Sequence, residues 1–420
     1  MSGKSSFLFV TWEGGGNVPP VLGLAHRLIQ AGHTVRVLAE PCMRKQIEGI
    51  GAEYIGFKKH FTRTDRSIDL IQDWKAKPLS VPSIDNILIN PALDVADETR
   101  LALTSQHTDV LVADFMMPGA LIAAESLGVK RVALFHMPEY FPGPNRPPGG
   151  LGVLPATGPL GRLRDAALAK IFHKVLSQYT PRLNQVRQQF SLPGYDNILE
   201  IYHQADLRLI QTSRAFDIPI EPPPANVRYV GPVLDDPAWV EPMDLSFLEQ
   251  AKRPSVLVSL SSTFQNQQQL LQRIIDALGA LDVNGVVTLG PAMAKARFSA
   301  GNNVMLLKSA PHSALLPKVD AVITHAGHGT VMRALSYGKP LLCLPMGRDQ
   351  LDNAALVAHH GAGIALKKNA TSKSIRHASQ KLLAQTHYRQ GAETIALDIQ
   401  RDAKENRAVR YLEALGNAQA

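Results

Sequence analysis

The stretch Ala321-Val322-Ile323-Thr324-His325-Ala326-Gly327-His328-Gly329-Thr330 runs from an apolar segment into a polar turn containing glycine, and a helical pattern follows over Val331–Tyr337. A short β-branched run of this kind is a buried strand. Glycines in the turn let a ligand approach the backbone, and amides at the start of the following helix point outward as donors to an anion. His325 and the Thr330 hydroxyl add donors, so the turn reads as a diphosphate cradle without a Walker lysine. Alone, it is equally an ordinary turn whose polar residues are satisfied. The next residues decide between these readings. A strand over Leu341–Leu344 leads into Pro345-Met346-Gly347-Arg348-Asp349-Gln350. An acid–amide pair at the carboxyl end of that strand faces the same crevice. Asp and Gln together accept and donate hydrogen bonds, which suits sugar hydroxyls.

Working outward, short apolar runs alternate with helical patterns along most of the chain. Phe7–Thr11, Thr34–Leu38, Asp109–Ala113, Arg131–Phe135 and Leu207–Gln211 read as strands. Val18–Ala31 and Pro118–Leu127 read as helices, with Pro19 and Pro20 tolerated in the first turn of the former. Val230–Pro242 has no period and reads as a linker, after which the alternation restarts at Val256–Ser259. Such alternation predicts parallel sheets covered on both faces. The expected organisation is a first domain over 1–230, a linker over 231–252, a second domain over 253–395, and a C-terminal helical piece over 396–420 that packs back on the first domain. Its core is one helical segment over Asp398–Leu415. Ligands of such sheets bind beyond the carboxyl ends of the strands, so the cleft between the domains is the predicted site.

Composition narrows the classes. The 420 residues are 45% hydrophobic and 19% charged, ordinary for a globular chain with large cores. A net charge of +8 invites an anionic partner, but no basic block is dense enough for nucleic acid. Cys42 and Cys343 sit in no redox or metal spacing, which fits a cytoplasmic, disulfide-free protein. The apolar run Phe7–Trp12 is too short for a signal segment, and no run is long enough for stable membrane insertion. His325 and His328 lie on one turn, but no third ligand is in register, so no metal is expected.

From Pro311-His312-Ser313 through His325–Thr330 to Asp349-Gln350 and Asn353-Ala354, the chain resembles the donor signature of glycosyltransferase family 1. These enzymes transfer sugars from UDP- or dTDP-sugars to natural products. The resemblance implies the α/β GT-B fold, in which two Rossmann-like doubly wound domains face a central cleft. It implies that His325 contacts the diphosphate, that Gly327, Gly329 and Thr330 supply phosphate-facing groups, and that Asp349 and Gln350 hold sugar hydroxyls. His312 matches the segment against the nucleobase, where Gln is usual. Ser262 and Thr263 match a loop touching the phosphates. No cofactor or metal is implied beyond the nucleotide-sugar co-substrate.

The acceptor end departs from that family. A His just after the first strand is the family's base, and an Asp about a hundred residues later orients it. Here the loop reads Trp12-Glu13-Gly14-Gly15-Gly16-Asn17, and Asn17 stands at the base position. An amide cannot take a proton near neutral pH. Asp114, at the position of the orienting acid, is therefore expected to act as base directly, or else to cap the following helix. His136 opens a Pro/Gly-rich loop over Phe141–Pro159 and is a further catalytic or acceptor-contacting candidate, with Glu13 beside Asn17 another. Phe115, Met116, Met117, Met137, Tyr140 and Phe141 predict an apolar acceptor pocket.

The segment Leu160–Phe190 is basic and amphipathic, with Leu163, Ala167, Ile171, Phe172, Val175 and Tyr179 read as one face. That face either lies on a membrane surface or packs on the first domain to frame the acceptor pocket; the second is the expectation. The sequence therefore predicts an inverting, metal-independent hexosyltransferase joining a sugar to a lipophilic aglycone, acting as a monomer or homodimer. The alternative is an auxiliary nucleotide-sugar-binding protein of the same fold that has lost its base.

Overall fold

The computed structural model describes residues 3–76, 81–144, 146–236, 243–249 and 252–417. Of the linker expected over 231–252, residues 237–242 and 250–251 lie outside the described residues. The chain builds two parallel sheets. The first comprises β1 (Ser6–Val10), β2 (Thr34–Ala39), β3 (Glu53–Gly56), β4 (Val110–Asp114), β5 (Lys130–Phe135), β6 (Leu207–Ile210) and β7 (Val227–Tyr229), in the order β3-β2-β1-β4-β5-β6-β7. The second comprises β8 (Ser255–Ser259), β9 (Asn284–Thr288), β10 (Val304–Leu307), β11 (Ala321–Thr324), β12 (Leu341–Cys343) and β13 (Gly363–Ala365), in the order β10-β9-β8-β11-β12-β13.

Central strands are buried throughout, because helices cover both faces of each sheet. Alternation sorts their side chains: Leu8 and Val10 enter one core while Phe7 and Phe9 enter the other. Leu257 is likewise separated from Val256 and Val258 in the second sheet. In each sheet the strand order reverses beside its first strand, between β1 and β4 and between β8 and β11. Those junctions open the crevices where a doubly wound sheet takes its ligand. The loops carrying Asn17, Asp114, Ser262 and His325 all leave these four strands at their carboxyl ends.

Three short strands, β3, β7 and β13, carried no signal in the sequence; all are edge strands of three or four residues. The single segment expected over Asp398–Leu415 is two helices, Thr386–Lys404 and Arg407–Asn417, broken where Asn406 adopts a left-handed φ of 49°. The former packs Ile395 and Ile399 into the second domain. The latter crosses to the first sheet, burying Ala408, Val409 and Leu412 against Val110 and Val112.

The segment 160–190 is also two helices, Pro159–Ser177 and Thr180–Gln189. Phe172 and Tyr179 face the first domain's core, but Leu163 and Ile171 point into solvent, 68% and 59% exposed. The single apolar face read from the sequence is thus divided between opposite sides of the helix. Among the described residues no helix is long and apolar enough to cross a membrane.

Candidate active site

One cavity of about 600 Å³ lies between the carboxyl ends of the two sheets and draws its lining from both. On the side of the second sheet, β11 delivers His325, and Gly327 then starts the helix His328–Ser336. Ala326 holds a left-handed φ of 66°, a strained conformation for a residue with a Cβ. Asn353 secures it by donating to the Ala326 carbonyl at 2.9 Å and to Asp349 Oδ2 at 2.8 Å. A Cβ on Gly327 would lie 2.6 Å from His325 Nε2, so the imidazole occupies the space that glycine leaves. Thr330 and Val331 donate to the Gly327 carbonyl, while the amides of His328 and Gly329 have no partner among the described residues. Such amides, at the positive end of the helix dipole, form an anion site.

Burial dominates titration here. His325 and His312 are held down to about 4, mainly by desolvation and next by the fields of Arg348 and Arg333, respectively. His328 is held at about 3 for the same main reason. All three are neutral near pH 7 and offer N–H groups without carrying charge. Asp349 lines the cavity, and its burial raises its pKa. Gln350 also lines it, but both ends of its amide are in use: Oε1 accepts from Met346 N at 2.8 Å and Nε2 donates to Gln265 at 3.0 Å. Ser262 and His312 line the cavity, with His312 Nε2 3.3 Å from Ser259 Oγ. Thr263 does not line it; its Oγ1 lies 3.2 Å from Ser261 Oγ.

Arg333 was missed in the sequence reading. It lies three residues beyond Thr330, so the two share a helix face, and that spacing was the available signal. Its Nη2 donates to the Asp235 carbonyl at 2.9 Å and its Nε to Leu234 at 3.3 Å. Nη1 has no partner among the described residues and lies beside Gly329. Arg348 and Arg333 both line the cavity, and they differ: Arg348 is paired with Asp69 at 2.9 Å and Asp73 at 3.3 Å, whereas Arg333 meets no carboxylate at salt-bridge distance among the described residues.

The end on the side of the first sheet is apolar. Phe115, Met116, Met137, Tyr140 and Phe141 all line it, joined by Phe172, Leu176 and Tyr202. Met117 does not, since it sits in the core beneath. Asn17 lines the cavity and bonds through its amide rather than capping its helix: Nδ2 donates to Asp114 Oδ2 at 2.7 Å and to the Trp12 carbonyl at 2.8 Å. Asp114 is only 1% exposed and does not line the cavity. Its Oδ1 accepts from Met116 N at 3.0 Å, and its Oδ2 from Asn17 and, at 3.4 Å, Thr11. The structure thus places the Asp114 carboxylate, expected from the sequence to take an acceptor proton directly, behind Asn17 with both oxygens accepting hydrogen bonds.

Glu13 is also set back from the cavity. It is buried outside the cavity, accepts from Gly15 N at 2.9 Å and pairs with Arg66 at 3.0 Å, so it braces the glycine loop. His136 does line the cavity, at the carboxyl end of β5, with its ring 5.5 Å from that of Phe115. Its Nδ1 is buried without a hydrogen-bond partner among the described residues.

Several contacts hold the two ends together. Gly15, at φ 84°, lets the first domain approach so closely that a Cβ there would lie 2.7 Å from Ser262 Oγ. His328 Nε2 lies 2.8 Å from Thr212 Oγ1, and Trp74 packs edge-on against Phe264 at 5.4 Å. Asp352 accepts from Gly150 and, at 2.8 Å, from Gly152, tying the Pro/Gly-rich loop to the second domain.

Two Rossmann-like sheets meeting at a shared cleft define the GT-B class. The 400-residue match to 4'-demethylrebeccamycin synthase of Lentzea aerocolonigenes is 30% identical and covers 91% of this chain and 92% of the relative. Zeaxanthin glucosyltransferase of Pantoea ananas is 24% identical over 89% of this chain and 87% of its own. The solved glycotransferase of kitacinnamycin superposes with a TM-score of 0.75 at 19% identity, covering 99% of this chain and 100% of the other. Residues 272–415 match the family described as erythromycin biosynthesis protein CIII-like, C-terminal domain. The chain belongs to the natural-product glycosyltransferases of family 1.

Proposed function

We propose that this glycosyltransferase moves a sugar from a UDP- or dTDP-sugar to a lipophilic small-molecule acceptor with inversion at the anomeric carbon. The observation that carries the reading is a cavity with two unlike ends: outward-facing helix amides beside an arginine that forms no salt bridge among the described residues at one, and an aromatic and aliphatic wall at the other. An acceptor held against that wall meets the sugar from the side opposite the diphosphate, which is the geometry of inversion.

In this mechanism the acceptor oxygen bonds to the anomeric carbon as the bond from that carbon to the phosphate oxygen breaks. The acceptor's proton passes to the ring of His136. Charge developing on the departing diphosphate is met by the amides of His328 and Gly329, by His325 and Thr330, and by the Arg333 guanidinium. Asp349 binds sugar hydroxyls, and Gln350 holds the strand end on which Asp349 sits. The Asn17–Asp114 pair fixes the floor beneath the acceptor. No metal or cofactor beyond the nucleotide sugar takes part.

The test is to incubate the enzyme with UDP-glucose or dTDP-glucose and a panel of aromatic and polyketide aglycones. Nucleotide release should depend on the acceptor, and NMR should give the product anomer opposite to the donor's. Retained configuration, or release indifferent to the acceptor, overturns the reading. The auxiliary reading, favoured by Asn17 at the usual base position, predicts nucleotide-sugar binding without turnover.

A further inference from the structure

The helix Pro159–Ser177 is apolar on two opposite sides. Inward, Phe172, Val175 and Leu176 form part of the cavity wall. Outward, Leu160, Leu163, Ala167 and Ile171 follow one another at intervals of three and four, which places them on one stripe. Nothing among the described residues covers that stripe: Leu160 is 84% exposed, with Leu163 and Ile171 more than half exposed. Exposed leucines scattered singly need no explanation, whereas a continuous row along one helix does.

The charges beside the stripe have one sign. Arg162, Lys170 and Lys174 are exposed and pair with no carboxylate among the described residues. The helix's one acid, Asp165, is buried and already held by Arg164 at 2.7 Å and Ala156 N at 3.0 Å. A row of aliphatic side chains bordered by unpaired cations fits a layer that is apolar below and anionic above, as at the surface of a bilayer containing acidic lipids. A second copy of this chain is a poorer fit, since a two-fold contact would set the same cations against each other.

We propose that the outward face of the helix Pro159–Ser177 docks on an anionic lipid bilayer. Leu160, Leu163 and Ile171 enter the acyl boundary, while Lys170 and Lys174 meet lipid phosphates. One helix then serves as membrane anchor and cavity wall, holding the acceptor end against the phase where lipophilic molecules collect. Attachment itself does not depend on the acceptor reading; its use in acceptor capture rests on that reading.

The test is flotation of the full-length enzyme with phosphatidylcholine vesicles, with and without phosphatidylglycerol, at low and high salt. Wild type should bind only the anionic vesicles, and salt should weaken binding. Leu163→Asp and Ile171→Asp should each weaken it about tenfold or more, since each removes a large aliphatic side chain from the lipid. Both residues are exposed and outside the cavity, so melting temperature and transfer to a water-soluble acceptor should be unchanged. The pair Lys170→Glu, Lys174→Glu should abolish the preference for acidic lipid. Wild type that ignores anionic vesicles, or Asp variants that bind them equally, overturns the proposal. So does a concentration-dependent dimer that these substitutions disperse, which would assign the face to a second copy. Vesicle binding without transfer to any lipophilic acceptor would leave the docking intact and sink the acceptor reading instead.

Discussion

The proposed donor and acceptor ends of the cleft are built by different means. The donor end is local: β11, its turn and the start of the next helix supply His325, Gly327, Thr330 and Arg333 within a few residues. The acceptor end is assembled from distant pieces. Asn17 and Asp114, which share a hydrogen bond, are 97 residues apart. His136 comes from another strand, and the apolar wall also draws on the helix Pro159–Ser177. A local anion site is fixed by backbone geometry and tolerates little change. A wall assembled from loops and helices can be rebuilt while the donor end stays the same, which is how one fold serves many acceptors.

This contrast is tested hardest at the proton. If His136 is the base, His136→Gln should lower kcat by about 10²–10⁴-fold, the usual cost of losing a general base. Affinity for UDP or dTDP should stay as in wild type, because the change lies at the other end. Asp114→Asn should cost less. A modest loss for His136→Gln with a severe one for Asp114→Asn would return the base role to Asp114 and require the Asn17 layer to open during turnover.

A smaller effect is expected at Arg333. A guanidinium bond to phosphate is worth about 1.5–3 kcal/mol, so Arg333→Gln should weaken UDP and dTDP about 10–100-fold by calorimetry. Uridine and thymidine, which lack the diphosphate, should bind as before, and Arg333→Lys should recover part of the loss. Equal weakening of nucleoside and nucleotide would mean that the side chain shapes the base site and does not bind phosphate.

What was legible in the sequence follows the same division. The donor motif could be read because strand, glycine turn and helix start are adjacent, so residue order alone places the groups in space. At the acceptor end order was insufficient. Whether Asp114 or His136 reaches the cavity depends on how neighbouring loops cover the strand ends, and only the Asn17 side chain laid over Asp114 settles it. Glu13 is a similar case, since nothing local signals its pairing with Arg66. The helix Pro159–Ser177 misled for another reason. With apolar residues on both sides, its periodicity cannot say which side is buried.

Asn17→Ala offers a more modest probe of that covering layer. Removing the amide takes away the 2.7 Å bond to a buried carboxylate, leaving Asp114 with Met116 N and the long contact to Thr11. The cost should be about 1–3 kcal/mol in urea unfolding. Nucleotide affinity should not move. If it does, the acceptor and donor ends are coupled, and the Gly15–Ser262 approach is the route to examine.

Acid should separate the two ends most gently. The three largest histidine depressions, at His312, His325 and His328, all lie in the donor half, held neutral mainly by burial. Unfolding frees each to regain an ordinary pKa near 6.5, so the unfolded chain binds more protons across the window from about 6.5 down to the folded values. Stability from these groups is complete above that window and falls as pH drops through it. Asp349 and Asp352 oppose this, because burial raises their pKa and the folded state takes up protons above their ordinary 3.8. Single substitutions separate the two: His312→Gln should flatten the loss of stability on acidification by up to about 1.4 kcal/mol per pH unit. Hydrogen exchange should find the sheet β8–β13 opening before β1–β7 as pH is lowered towards about 4. Were the first sheet to open earlier, the donor half would not be the acid-sensitive one, and the neutral histidines would have to be offset by the carboxylates packed beside them.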